Sequence, residues 1–543
     1  MSEDRGKRQH RPKRAAGGSE TTARARGAGG DRARGPGGDR ARGAGGERAR
    51  ADERPRGGAG GERVRTNERA RTDEGVEAEP LEEEAALGVV GASPPPRRRS
   101  LTNVGGEIET SGEAATAQIL AHAIDVAPSM DEGADDRAHV HGFHAYPARA
   151  HPVTARRLVE ALVPRGGTVL DPFCGSGTVV IEAMLAGRAA IGSDLNPIAV
   201  MLARAKTYPR TPEKTKALVD AARGVAEHAE ARRKAKAGAS RRLPQEDVSL
   251  FPPHVLLELD GLRSGIDAAA PELRPDLSLV LSSILVKLSP RRGDTSEEQT
   301  DKRVAAGYAS RLFVRKTEEL ARRFDDFAML LRNEARAASA PSDADATSAA
   351  DATTGAEPDA ASGARPPSAG ERARVRVWED DANVLKRVAD ASVDAVITSP
   401  PYVATYDYLQ HHELRMRWLG LDPRKLARGE IGARRRYERL SPRDAVASWE
   451  HELAKLFHSL ARVMKPGAPL VLLIADSAAG RGPGGDRAEP IRADEVVARV
   501  AGRGRELVPV ARASQPRPHF HGPTQRAFEG RPRFEHALLL RRA

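Results

Sequence analysis

The amino-acid sequence predicts an α/β protein: a mostly parallel sheet with helices on both faces, a helical insertion, and a long disordered N-terminal tail. Three observations carry that expectation. Short apolar runs such as Val169-Leu170, Ala189-Ala190-Ile191, Val393–Thr398 and Ala468–Asp476 alternate with stretches of helical spacing. The first two of these runs end in an acid, Asp171 and Asp194, and the first leads at once into a glycine-bearing turn. Residues 1 to about 100 are Arg, Gly, Ala and Glu with almost no aromatics, too little apolar surface to offset the entropy lost on ordering.

The tail is expected to span residues 1–135. Ala-Arg-Gly and Gly-Gly elements recur between Ala23 and Gly58, the charge turns acidic around Glu82-Glu83-Glu84, and it is basic again at Arg97-Arg98-Arg99. Thr110 to Glu132 reads as weakly helical, and order is expected near His141. The first part of the α/β domain, residues 136–207, holds Phe143 and Tyr146 ahead of a helix with Leu158, Val159 and Leu162. Residues 208–334 break the strand rhythm and read as helices, with basic side chains such as Lys287, Arg291, Lys302 and Arg311. Residues 335–372 are a low-complexity loop, which lengthens a surface connection at small entropic cost. The domain resumes over 373–543, with the strand around Val375-Arg376-Val377, an amphipathic helix bearing Leu453, Leu456, Phe457 and Leu460, a glycine-rich loop from Gly480 to Gly485, and a final strand over Phe534–Leu540.

A formal charge of +11 over 543 residues fits a polyanionic partner, and equally an Arg-rich composition. One cysteine excludes disulfides within the chain and a cysteine-cluster metal site, which points to the cytoplasm. No apolar run reaches about 18 residues, so no signal peptide or membrane span is expected.

Chemistry concentrates in two places. In Asp171-Pro172-Phe173-Cys174-Gly175-Ser176-Gly177-Thr178 the glycines permit a sharp turn and close approach to a ligand. The three-glycine spacing of a dinucleotide site is missing, and the leading acid suits a cationic or neutral ligand better than a pyrophosphate. Asp194, ending the next strand, can accept from ribose hydroxyls. Downstream, Ser399-Pro400-Pro401-Tyr402 follows a strand directly, at the edge where open α/β sheets bind ligands. Its two prolines remove two backbone donors and leave carbonyls facing outward.

Together, Asp-Pro-Phe-Cys-Gly-Ser-Gly-Thr and Ser-Pro-Pro-Tyr resemble the amino-group DNA methyltransferases, which modify cytosine N4 or adenine N6. The resemblance covers about Phe143 to Asn196 and Val375 to Ala543. It implies a Rossmann-like class I methyltransferase fold with a reversed last strand, S-adenosylmethionine as cofactor, and DNA as partner, as in restriction-modification enzymes. The cofactor residues it implies are Phe143, Tyr146, Asp171, Phe173, Gly175, Gly177, Thr178, Asp194 and Asp381, with Asp380 the alternative to Asp381. The catalytic residues are Ser399, Pro400, Pro401 and Tyr402: the Ser399 hydroxyl and Pro400 carbonyl orient an exocyclic amine, and the Tyr402 ring stacks on the base, flipped out of any duplex. Serine in first place favours cytosine N4 over adenine N6. An RNA base amino-methyltransferase, or a non-catalytic nucleic-acid-binding protein on the same fold, is the alternative.

Three of the chain's seven tyrosines lie between Tyr402 and Tyr408. They stack on bases or pack a lid. His411-His412 without a third spaced ligand is expected to hold no metal. Arg415, Arg417, Arg434, Arg435 and Arg436 are candidate phosphate contacts, Trp418 and Leu414 core residues, and Cys174 a small packed residue. The insertion is a candidate target-recognition module.

Overall fold

The computed structural model describes residues 106–126, 137–291, 293–294, 299–339, 375–479, 488–517 and 527–543. The sequence readings for residues 1–105, for 340–374 and for the Gly480 to Gly485 loop lie outside the described residues.

In chain order the elements are β1 (Glu109–Gly112), α1 (Ala114–Ile124), α2 (Pro152–Leu162), β2 (Thr168–Asp171), α3 (Thr178–Leu185), β3 (Ala189–Asp194) and α4 (Pro197–Thr207). The inserted helices are α5 (Pro212–Lys234), α6 (Pro253–Ala268), α7 (Arg274–Leu288) and α8 (Tyr308–Ser339). After them come β4 (Val375–Glu379), β5 (Ala395–Thr398), α9 (Tyr408–Leu419), α10 (Pro442–Val463), β6 (Pro469–Ala475), the hairpin of β7 (Ser477–Ala479) and β8 (Glu489–Ile491), α11 (Ala493–Gly504), β9 (Leu507–Pro516) and β10 (Phe534–Arg542).

Eight strands form one sheet in the order β1-β9-β10-β6-β5-β2-β3-β4. The pairs β2/β3, β3/β4, β2/β5 and β5/β6 are parallel, and β10 runs antiparallel to both β6 and β9. That is the class I methyltransferase arrangement, reversed strand included. Successive strand residues point to opposite faces, so each apolar run feeds two cores. Leu170, Val396, Leu470 and Leu472 pack with α10 and α11, while Val169, Ala395, Val471 and Leu473 pack with α1, α2 and α3.

The boundary of the tail needs correction. Residues 106–126, expected to belong to it, form β1, paired antiparallel with β9, and α1. The signal was weak for a physical reason: β1 is exposed and held by backbone pairing, and α1 buries Ala117, Leu120, Ala123 and Ile124, half of them alanines.

The helix starts follow local chemistry. Asn196 caps α4 by accepting from Ile198 N–H at 3.0 Å, with Pro197 in the first turn, where its missing donor costs nothing. Asp407 caps α9 through Gln410 N–H at 3.0 Å, and Gly420, at φ +66, ends it. The inserted helices do not form a core of their own. Leu218, Leu259, Leu281, Phe313 and Phe324 share one cluster with Ile181 of α3, Leu202 of α4, and Leu414 and Trp418 of α9. Leu414 and Trp418 are thus core residues, and Cys174 is buried. No described helix is long and apolar enough to cross a membrane.

Candidate active site

Strands β2 and β5 are neighbours, so their carboxyl ends meet, and each is followed by one of the two motifs. Thr398, the last residue of β5, donates its hydroxyl hydrogen to Asp171 Oδ1 at 2.7 Å. Phe173 N–H donates to the same oxygen at 3.1 Å. Two bonds therefore fix the Asp171 carboxylate where the first turn passes the second motif.

One strand further on, Asp194 receives Gly175 N–H at 3.0 Å on Oδ2 and Asn196 N–H at 2.8 Å on Oδ1. The turn is clamped to the end of β3. Gly175 has φ +50, and a Cβ there would come within 3.0 Å of the Tyr146 ring, so the position needs glycine on both counts. Gly177, at φ +94, begins α3, and its Cα side lies against Ala203 of α4. It serves helix packing.

These elements enclose a cleft of about 800 Å³, open to solvent. Of the residues implied for the cofactor, Tyr146, Asp171, Phe173, Gly175, Thr178, Asp194 and Asp381 line it; of the tetrapeptide, Ser399 and Pro401 do. Phe143, Gly177, Pro400 and Tyr402 are not in its lining. Phe143 is buried in the cluster shared with the insertion. The Tyr402 ring, expected to face a base, is 3% exposed and packs with the residues under α10.

The cleft is acidic. Burial pushes the Asp171 carboxyl up to about 7, against its bonds to Thr398 and Phe173. Burial likewise raises Asp194 to about 6, against backbone N–H groups. Asp380 and Asp381 both line the cleft, but Asp380 spends its two oxygens on Asp381 N–H at 2.9 Å and Arg387 N–H at 3.1 Å. Asp381 turns Oδ1 to Asn383, with Oδ2 beside Gly429. A carboxylate-rich wall with a glycine turn against it fits a ligand carrying a positive sulfur and a ribose, and does not fit a pyrophosphate.

Several lining residues escaped sequence reasoning. Asn196 directs Nδ2 to within 3.1 Å of His412 Nδ1 and 3.4 Å of the Tyr146 hydroxyl. The His412 ring stacks on Tyr146 at 5.1 Å, so this histidine holds an aromatic wall. Leu426, Gly429, Glu430 and Ile431 close another side; Glu430 accepts Tyr408 N–H at 2.7 Å and pairs with Arg435 at 2.6 Å. The Asn-Pro helix start was a usable signal for Asn196. Nothing in the local sequence marks residues 426–431.

The arginines have internal partners. Arg435 also pairs with Asp407 at 2.7 Å, Arg436 with Glu452 at 2.6 Å, Arg417 with Asp247 at 2.6 Å, and Arg415 with buried Asp294. Arg434, half exposed, reaches Gln410 at 3.2 Å.

Fold and site together are a class I methyltransferase fold with a cleft that fits S-adenosylmethionine. Residues 126–204 match the family model described as DNA methylase. Over 77 residues it is 38% identical to the Type II methyltransferase M.MvaI of Kocuria varians, covering 14% of this chain and 17% of that protein. Over 85 residues it is 34% identical to the Type II methyltransferase M.MjaII of Methanocaldococcus jannaschii, 15% of each chain. The chain thus matches less than a fifth of the length of these relatives. Among solved structures, a SAM-dependent methyltransferase from Methanosarcina mazei aligns over 71% of this chain and 96% of its own at 9% identity and TM-score 0.25. The rRNA methyltransferase aviRa from Streptomyces viridochromogenes aligns over 76% and 94% at 14% identity and TM-score 0.27.

Proposed function

We propose that this protein transfers a methyl group from S-adenosylmethionine to the exocyclic amine of a DNA base, with cytosine N4 the preferred target over adenine N6. The observation that carries the reading is that Asp171 and Ser399, 228 positions apart in sequence, line one cleft. S-adenosylmethionine supplies an electrophilic methyl on a positive sulfur, so the chain needs no nucleophile of its own. Asp171 and the Gly175 turn hold the donor's charged end, Asp194 its ribose hydroxyls, and Asp381 its adenine amino group, with Tyr146, Phe173 and Thr178 completing the wall. Ser399 and the Pro400 carbonyl accept hydrogen bonds from the target amine and set its lone pair toward the methyl. Duplex DNA then has to yield its base by flipping. The inserted helices are the proposed target-recognition module, supported by their shared core with α9, which follows the tetrapeptide closely.

Incubation with methyl-labelled cofactor and separate unmethylated DNA and RNA, followed by nucleoside analysis, tests this. N4-methylcytosine in DNA is expected. Label only in RNA overturns the choice of polymer, and N6-methyladenine corrects the base.

A further inference from the structure

The reversed strand β10 brings its N-terminal end to the edge of the sheet where the two motifs lie: Glu535 sits opposite Ala475, the carboxyl end of β6. Its carboxylate is buried and meets the tetrapeptide. The Tyr402 hydroxyl donates to Glu535 Oε1 at 3.3 Å, and the Ser399 side chain, three positions earlier in the same turn, is near enough to the phenol to pull its pKa down. With the phenol proton directed at Glu535, the phenol oxygen is left to accept from the Ser399 hydroxyl. Arg517 donates Nε–H to Glu535 Oε2 at 2.7 Å. Arg517 is 5% exposed, and neither of its Nη atoms has a hydrogen-bond partner among the described residues.

We propose that Ser399, Tyr402 and Glu535 form a proton relay, anchored by Arg517, that makes Ser399 an acceptor toward the target amine and carries away the proton the amine must lose. The idea rests on the methyl-transfer reading and adds to it a residue near the end of the chain that acts through two others. Its chemistry balances. As the base nitrogen bonds to the methyl carbon of the sulfonium donor, the carbon–sulfur bond breaks and its electron pair stays on a neutral thioether sulfur. The nitrogen, now positive, gives a proton to the Ser399 oxygen, Ser399 passes its own to the Tyr402 oxygen, and the phenol proton goes to the Glu535 carboxylate. Glu535 ends as a neutral acid.

The surroundings suit that task. Burial raises the Glu535 carboxyl above the ordinary range, though Arg517, Arg533 and the Tyr402 hydroxyl pull it back, and a raised carboxyl is the better proton acceptor. Tyr402 is far above the ordinary phenol range, through burial and the Glu535 charge, and therefore stays a hydroxyl able to donate and accept at once. The buried position of its ring, which sets it apart from a base-stacking residue, is what the relay requires.

The test compares wild type, Glu535→Gln and Tyr402→Phe on unmethylated DNA, measuring single-turnover methyl transfer in H2O and D2O, KM for DNA, cofactor affinity by calorimetry and thermal melting. A relay predicts that both variants bind cofactor and DNA as the wild type does but transfer methyl about 10²-fold more slowly, the low end for positioned proton transfer, and lose the solvent isotope effect. If Glu535→Gln melts too low to assay, Tyr402→Phe, which keeps the ring and removes one oxygen, decides. Transfer at the wild-type rate by either folded variant overturns the relay, as does a loss confined to cofactor binding or melting. No transfer by the wild type to any nucleic acid overturns the methyl-transfer reading itself, a result distinct from failure of the relay alone.

Discussion

Thr398 and Asp171 stand 227 residues apart in the chain and 2.7 Å apart in space, hydroxyl to carboxylate, at the point where β5 and β2 end side by side. The bond spans the whole insertion and joins the two halves of the site. Thr398→Val keeps the shape and removes the donor, leaving a buried carboxylate with one bond fewer at Oδ1. An unfolding free energy lower by about 1–3 kcal/mol is expected, the usual cost of a buried polar group deprived of a partner. Denaturant titration reads the stability, and calorimetry should show weaker cofactor binding as the Asp171 carboxylate loosens.

Asp171 and Asp194 make binding depend on pH. Their folded values, about 7 and about 6, lie above the ordinary aspartate value of 3.8, so the free protein holds protons that the unfolded chain has released. The sign follows: the stability from these groups is complete below about pH 4 and is lost as pH rises toward 7. A cation favours the ionised carboxylate, so cofactor affinity should move the opposite way, gaining up to about tenfold per pH unit per proton released and levelling off above pH 7. Calorimetry in buffers of different ionisation enthalpy measures that proton release. Asp171→Asn should flatten both trends; a wild-type affinity independent of pH between 5 and 7 contradicts the assignment.

Two glycines separate strain from function. Gly175 and Gly187 both have positive φ, +50 and +70, and alanine at either pays for the left-handed conformation, roughly 1–2 kcal/mol. At Gly187 nothing lies within 4 Å of the added Cβ, whereas at Gly175 the Tyr146 ring is 3.0 Å away. Gly187→Ala should therefore lose only stability. Gly175→Ala should also lose cofactor affinity, because Tyr146 has to move off the wall it shares with His412. Melting and calorimetry on the pair distinguish the two costs.

What the sequence made legible was chemistry tied to the backbone. Apolar runs marked strands buried on both faces, and an acid at the end of a run, followed by glycine or an Asn-Pro pair, marked Asp171 and Asp194. Side-chain direction outside regular elements was not readable. Phe143 and Tyr146 lie three apart in an irregular segment, where no period decides that one enters the helical core and the other the cleft. Tyr402 turned inward because its partner Glu535 lies 133 positions away, and the ion pairs of Arg415 and Arg417 reach back 121 and 170 positions. Long-range pairing leaves no trace in local composition. Residues 426–431 close the cleft through the close approach of Gly429 to Leu195, which neither stretch signals alone.

The insertion is held to the α/β body by charge as well as apolar packing. Arg210, just beyond α4, donates to both carboxylate oxygens of Asp276 on α7, from Nη2 at 2.8 and 2.7 Å and from Nε at 3.1 Å, with both side chains under 10% exposed. The Arg210 guanidinium also lies 4.1 Å from the centre of the Phe324 ring on α8, so one residue touches two inserted helices. Removing a single partner from a buried pair strands the other charge, at a cost of about 3–5 kcal/mol. Asp276→Ala should lower stability by that order, whereas Asp220→Ala, which breaks an exposed pair with Lys216 at 2.5 Å, should leave it nearly unchanged, because solvent screens that pair. Replacing both members, Arg210→Met with Asp276→Leu, should recover most of the loss, since apolar groups of similar volume carry no desolvation penalty. Urea midpoints of the four proteins measure this; equal effects at positions 276 and 220 would show that the insertion docks through its apolar face alone.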